Sequence, residues 1–209
     1  MVGMEKAQLR RYYLSVRKKI STSDHLEKSA KIAQHVKAQP LFKSSGTIMI
    51  YCSIGSEVRT DELICAMLSG GKRVAVPCCS AESRLMSAAE IRNPKRDLVC
   101  GPYGTVQPPE VSRITVSLTE IEYVVCPGVA FDYNGNRLGR GKACYDSFLS
   151  LLKGKIPIVG LAFECQISSE NLPADSHDIA MDQIITENGP LLENPPPFSR
   201  VSVLGNHRA

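Results

Sequence analysis

The stretch TIMIYCSIGSEVRTDELICAMLSGGKRVAVP, residues 47–77, decides the fold. It opens on an unbroken apolar run from Ile48 to Cys52 and closes on a second short run, Arg73 to Val76, stopped by Pro77. Runs this short and continuous suit strands buried on both faces, as in a sheet covered by helices. Between them Thr60 to Leu68 reads as a helix, with Gly70 and Gly71 as its C-terminal stop. Strand, helix, strand in that order predicts an α/β layer with a largely parallel sheet.

The pattern continues outward in both directions. Tyr123 to Cys126, stopped by Pro127, and Ile156 to Phe163 predict two more strands, and Lys142 to Leu152, closed by Gly154, predicts the helix between them. Arg84 to Ile91 is expected as a strand at an edge, and Asp182 to Thr186 is strand-like. Upstream, Leu9, Tyr12, Tyr13, Val16 and Ile20 recur at helical spacing, while Lys6, Arg10, Arg11, Arg17, Lys18 and Lys19 fill the other faces. The cluster from Ser21 to Asp24 supplies N-cap candidates for a second helix with the apolar set Leu26, Ala30, Ala33 and Val36, ending before Pro40. The chain is therefore expected to begin with a helical pair and continue as an open, layered, largely parallel sheet flanked by helices. Asn93 to Glu110, rich in Gly, Pro and charge, reads as a long loop and a candidate flap. Residues 1–190 form one expected domain, and 191–209, with Pro195, Pro196 and Pro197, a loose tail.

Composition narrows the class. At 209 residues, 43% hydrophobic and 22% charged, the chain has enough apolar material for one sizeable core. A net charge of +4, without a dense basic tract, suits an anionic small molecule and argues against a nucleic-acid arm. No apolar run approaches a membrane span and no secretory signal opens the chain, so the expectation is a cytoplasmic protein, monomeric, without nucleic-acid or membrane partners. Eight cysteines without a CxxC spacing read as reduced, mostly buried thiols.

The chemistry concentrates in NGNRLGRGKACYD, residues 134–146. Gly139 and Gly141, spaced by one residue, let backbone N–H groups approach an anion, and the helix that follows adds its partial positive charge. Arg137, Arg140 and Lys142 bring three cations to the same place, suited to a transferring phosphoryl group, and Asp146 is a carboxylate able to hold Mg²⁺. Neither a Walker A spacing nor a GxGxxG fingerprint is present. Spacing alone leaves open a basic hairpin built on the Asn-Gly turn.

A longer pattern bears on that choice. PGVAFDYNGNRLGRGKACYDSFL, residues 127–149, resembles the signature of the 5-formyltetrahydrofolate cyclo-ligases. EKAQLRRYYLSVRKKIS (5–21), IYCSIGSEVRT (50–60) and GLAFECQISSENLPADSHDIAMDQIITENG (160–189) are similar to further blocks of that family in the same order.

The resemblance implies ATP contacts at Lys6 and Arg10, which share a helix face, and along Arg137, Leu138, Gly139, Arg140, Gly141, Lys142, Ala143, Cys144 and Tyr145. It implies metal positions at Asp146 and Asp178, with Asp182 the rival to the latter, and folate contacts at Cys52 and Glu57 together with Arg140, Gly141, Lys142, Ala143 and Cys144. Gln166 and Phe131 are weaker candidates for pocket walls. Arg140 and Lys142 are the expected catalytic cations. Two positions depart from the family: Ala143 stands where glycine is usual, and Cys144 where the first of two tyrosines is usual.

The implied reaction takes 5-formyltetrahydrofolate and MgATP to 5,10-methenyltetrahydrofolate, ADP and phosphate, by phosphorylation of the formyl oxygen and ring closure by N10. His25, His35, His177 and His207 receive no catalytic role. The alternatives are an ATP-independent phosphate-binding isomerase or transferase on a similar sheet, and a folate- or nucleotide-binding relative whose loop has drifted out of catalysis.

Overall fold

The structure is a computed structural model that describes residues 5–80, 82, 85–141, 144–191 and 198, and not the side chain of Tyr103. Its elements run α1 (Lys6–Lys18), α2 (Thr22–Ala38), α3 (Pro40–Ser44), β1 (Thr47–Ile50), α4 (Asp61–Ser69), β2 (Arg73–Cys79), β3 (Met86–Ile91), α5 (Pro94–Asp97), β4 (Val99–Cys100), β5 (Val106–Gln107) and β6 (Thr115–Val116). After these come β7 (Tyr123–Pro127), β8 (Ala130–Asp132), β9 (Arg137–Leu138), α6 (Cys144–Ser150), β10 (Ile158–Leu161), β11 (Ile167–Ser168), β12 (Gln183–Thr186) and β13 (Gly189–Pro190).

Eight strands form the main sheet in the order β13-β12-β10-β7-β1-β2-β3-β6. The five in the middle, β12 to β2, are mutually parallel, with Met49 opposite both Val124 and Ala75. Antiparallel strands complete both sides. Apolar runs produce this because alternate side chains go to opposite cores. Ile48 and Ile50 pack with Val74, Val76 and the apolar sides of α2 and α4, while Met49 packs with Ala75, Val124 and the α6 residues Phe148 and Leu149. The expected α/β layering is what the chain forms.

Local differences have physical causes. The strand expected over Arg73 to Val76 runs on to Cys79. Beyond Ala75 it pairs only with β3, so the missing N–H of Pro77 falls where no β1 partner stands. The expected edge strand is β3, but β6 lies outside it, and Arg84 falls outside the described residues. The strand expected from Ile156 to Phe163 shortens to Ile158–Leu161, just after Pro157, although the whole run is buried. The helix expected over 142–152 is described from Cys144 to Ser150; Lys142 and Ala143 lie outside the described residues, and turns carry the chain to Gly154 at φ 73°. The 93–110 loop carries α5 and the β4–β5 hairpin. Gln107 ties it to the end of β2, accepting from Cys79 N at 3.0 Å and donating to Cys79 O at 3.3 Å. Of the expected tail only Leu191 and Phe198 are described.

The opening helices do not share one apolar seam. Leu9 and Tyr13 of α1 join Val129, Ala130 and Leu138, whereas Ile32, Ala33 and Val36 of α2 enter the main core. Tyr12 and Leu26, expected on the buried stripes, are 46% and 45% exposed, while Arg17, expected on the solvated face, is 3% exposed. Ser21 is the N-cap of α2, accepting from Asp24 N at 3.1 Å. No disulfide joins the described cysteines, but Cys65 and Cys100 are exposed, so burial is less general than expected. Among the described residues no helix is long and apolar enough to cross a membrane.

One contact carries a stability prediction. Gly160 lies in β10 directly against Phe131, and a β-carbon there would come within 2.5 Å of the ring. Gly160→Ala will therefore cost about 1–3 kcal/mol of stability, the range for overpacking a dense core. Urea unfolding with an unchanged m-value and a lower midpoint is the expected result; an unchanged midpoint would mean that Phe131 relaxes freely.

Candidate active site

Parallel strands all deliver their chain ends to one side, and a crevice forms there. A cavity of about 310 Å³ lies beyond the ends of β1, β2 and β7, touching Tyr51, Cys52, Pro77, Cys79, Pro127 and Gly128. Its apolar lining also includes Ile54, Met86 of β3 and Val106 of the hairpin, so part of the expected flap forms wall. Its charged lining comes from α1, from Glu57 in the loop after β1, from Arg137 of β9, from Arg140 in the loop before α6, from Asp146 of α6, and from Asp175, His177 and Asp178.

The Asn-Gly segment is a hairpin, as the geometric alternative allowed, but the phosphate-loop reading is compatible with it. Asp132, 1% exposed, accepts from the Asn134 and Asn136 N–H groups at 2.9 Å each, and Gly135 takes φ 82° in the turn between β8 and β9. The strand out of this turn delivers Arg137 to Gly141 to the cavity. Gly141, at φ 84°, passes Arg10 so closely that a β-carbon would sit 3.4 Å from its guanidinium carbon.

Each described cation of the site has an acceptor within the chain. Lys6 Nζ lies 2.5 Å from Asp178 and 2.6 Å from Asp175. Burial opposes the Lys6 charge, but those hydrogen bonds outweigh it and raise its pKa; for Asp178 burial is likewise outweighed, by Lys6, and its pKa falls. Arg10 Nε donates to Gly139 O at 2.8 Å. Arg137 Nη2 donates to Asp146 at 2.7 Å, with its guanidinium 5.3 Å from the Tyr145 ring centre. Arg140 Nη2 donates to Glu57 at 2.7 Å, joining the loop before α6 to the loop after β1. Burial pushes the Cys52 thiol up to about 12, so it offers the cavity an apolar surface and no thiolate.

The structure thus brings Lys6, Arg10, Cys52, Glu57, Arg137, Leu138, Gly139, Arg140, Gly141, Cys144, Tyr145, Asp146 and Asp178 to one cavity. Lys142 and Ala143 lie outside the described residues. Asp182 is elsewhere: it accepts from Ile158 N at 2.9 Å and from Lys153, a structural role in the sheet. Gln166 and Phe131 are no part of the lining. Gln166, 1% exposed, donates to the Gly128 and Val129 carbonyls, and Phe131 fills space beneath Gly128 and Gly160. Asp175 was missed, although it stands three residues before Asp178. With His177 and Asp178 it presents ligand atoms within 4.8 Å of one another.

The model of the 5-formyltetrahydrofolate cyclo-ligase family matches residues 2–187, nearly the whole described chain. The chain belongs to the 5-formyltetrahydrofolate cyclo-ligase family. The mouse 5-formyltetrahydrofolate cyclo-ligase is 32% identical over 184 residues, 82% of this chain and 88% of the mouse protein. That of Haemophilus influenzae is 27% identical over 187 residues, 88% of this chain and 99% of its own length. The solved structure of Aquifex aeolicus 5,10-methenyltetrahydrofolate synthetase superposes with a TM-score of 0.77 at 31% identity, covering 98% of this chain and 100% of that one. The largely parallel sheet flanked by helices is thus the fold of that cyclo-ligase relative.

Proposed function

We propose that this chain converts 5-formyltetrahydrofolate and ATP into 5,10-methenyltetrahydrofolate, ADP and phosphate, with Mg²⁺. The observation that carries the proposal is the Glu57–Arg140 pair at 2.7 Å. It joins the cation-rich loop suited to phosphates to an apolar crevice suited to a flat heterocycle, which supports one cavity for both substrates. The names that the relatives bear point to the same reaction.

An N-formyl oxygen is a poor leaving group, and transfer of the γ-phosphoryl of ATP to it makes a good one. N10 of the folate then attacks the activated carbon, the ring closes and phosphate departs. The protein's task is positioning and neutralisation of charge. Lys6, Arg10 and Arg140 would exchange their internal acceptors for phosphate oxygens, and Lys142 is the second cation proposed for the transferring group. Glu57 and the wall at Cys52 would hold the folate. Asp146 and Asp178 are hard oxygen donors of the kind Mg²⁺ takes, and the pairing of the Lys6 ammonium with Asp175 and Asp178 supports a cation-accepting role for the latter. Bound Mg²⁺ would offset phosphate charge; Arg137 meanwhile holds the Asp146 carboxylate in place.

The test is absorbance. Methenyltetrahydrofolate has a near-ultraviolet band that its substrate lacks, and that band should grow with ATP and Mg²⁺ and not without ATP. No band under any condition would overturn the proposal in favour of a non-catalytic binder, and a band independent of ATP would overturn the phosphoryl-transfer step.

A further inference from the structure

Arg17, in the last turn of α1, is among the described residues more deeply buried than any other cation near the cavity, yet it is no part of the lining. Its Nε donates to Ser56 Oγ at 3.0 Å and its Nη1 to Gly128 O at 3.1 Å. Ser56 lies in the loop after β1 and Gly128 in the loop after β7, and these strands are neighbours in the sheet. One guanidinium therefore ties together two loops on which the crevice rests. Gln166 Nε2 also donates to the Gly128 carbonyl, at 3.0 Å.

The residue after Ser56 is Glu57. Its carboxylate is 6% exposed and accepts from Ile54 N at 3.0 Å and from Arg140, and the Arg17 guanidinium is anchored on the adjacent residue, Ser56. The two arginines are unlike. Arg140 is 46% exposed in the loop before α6 and bonds Glu57, whereas Arg17 is buried and bonds two different loops. A buried carboxylate whose ion-pair partner is withdrawn is strongly disfavoured unless another positive charge stays close.

We propose that Arg17 is a positioning residue for the reaction: it braces the Ser56–Glu57 turn and remains as the counter-charge that keeps Glu57 directed into the cavity when Arg140 leaves it for a phosphate. This rests on reading the cavity as the shared folate and nucleotide site. Arg17 touches neither substrate and acts through Glu57.

A double-mutant cycle tests it, with Arg17→Met, Glu57→Gln and the pair, each assayed for kcat and for the KM of both substrates. Arg17→Met should raise the KM for 5-formyltetrahydrofolate about tenfold and that for ATP less than about threefold, and in the Glu57→Gln background it should add less than about twofold. Arg17→Lys, which keeps the charge but loses the fork, should recover part of the folate KM. An equal loss in both backgrounds, or equal losses in both KM values with a fallen Tm, would overturn the proposal and leave Arg17 a structural brace. If Arg17→Met does not fold, Arg17→Lys enters the same cycle under the same criterion. Absence of wild-type turnover would defeat the functional reading alone. The Arg17–Glu57 coupling is still read from urea unfolding of the same four ligand-free proteins, where strictly additive changes would overturn it.

Discussion

Arg140→Ala will lower kcat about 10²- to 10³-fold at saturating ATP, the usual consequence of removing one preorganised charge from a developing transition state. The side chain is 46% exposed and contributes nothing to the core, so the variant should fold normally. Glu57, deprived of this partner, retains the Ile54 N–H, and Arg17 stays anchored on the adjacent Ser56. The fall should therefore appear in turnover and not in unfolding. Arg140→Lys should restore only part of the rate, because an ammonium lacks the planar fork that engages a carboxylate and a phosphate in turn. Steady-state rates checked beside thermal unfolding decide the matter, and a variant within threefold of wild-type kcat would show that charge does not develop at this loop.

Arg137→Ala will act on stability instead. Its side chain is 4% exposed and that of its partner Asp146 is 17% exposed, and the guanidinium also packs on Tyr145. Truncation strands a largely buried carboxylate and opens space beside an aromatic ring. The expected cost is about 3 kcal/mol, the low end for breaking a buried pair because Asp146 keeps some contact with solvent. For a chain of this size that corresponds to a Tm lower by roughly 6–12 °C. Adding Asp146→Asn should recover part of the loss, since the uncompensated charge goes with it. If the single variant unfolds with the wild-type curve, the pair is solvated in solution and does not hold α6 in place.

These side chains were legible from sequence to different degrees. The middle strands could be read because a run buried on both faces is apolar without interruption, as Ile48 to Cys52 is. β6 and β13, two residues each, have no periodicity to read. Arg17 was misassigned because a hydrophobic stripe counts a buried arginine as solvated, and only its two distant acceptors reveal the stripe it occupies. The site residues were found through their family pattern rather than their spacing. Their pairing was not readable, since Glu57 and Arg140 stand 83 positions apart and meet only when β1 and β7 lie side by side. Asp175 was passed over because an exposed loop carboxylate has no local signature, and its significance comes from Lys6 at the other end of the chain.

The two borders of the main sheet have a bearing on how copies of the chain behave in a crowded solution. An open sheet offers its outermost backbone as a template for any other extended chain, and proteins avoid runaway stacking by keeping that template short or chemically blunt. Here β6 and β13 present two residues apiece, and in β13 one of the two is Pro190, which has no N–H to donate. The long apolar strands most prone to cross-β association are confined to the middle, each already paired on both sides. Aggregation through the sheet therefore requires the borders to peel away first, which makes resistance to fibril-like assembly a property of two of its shortest strands.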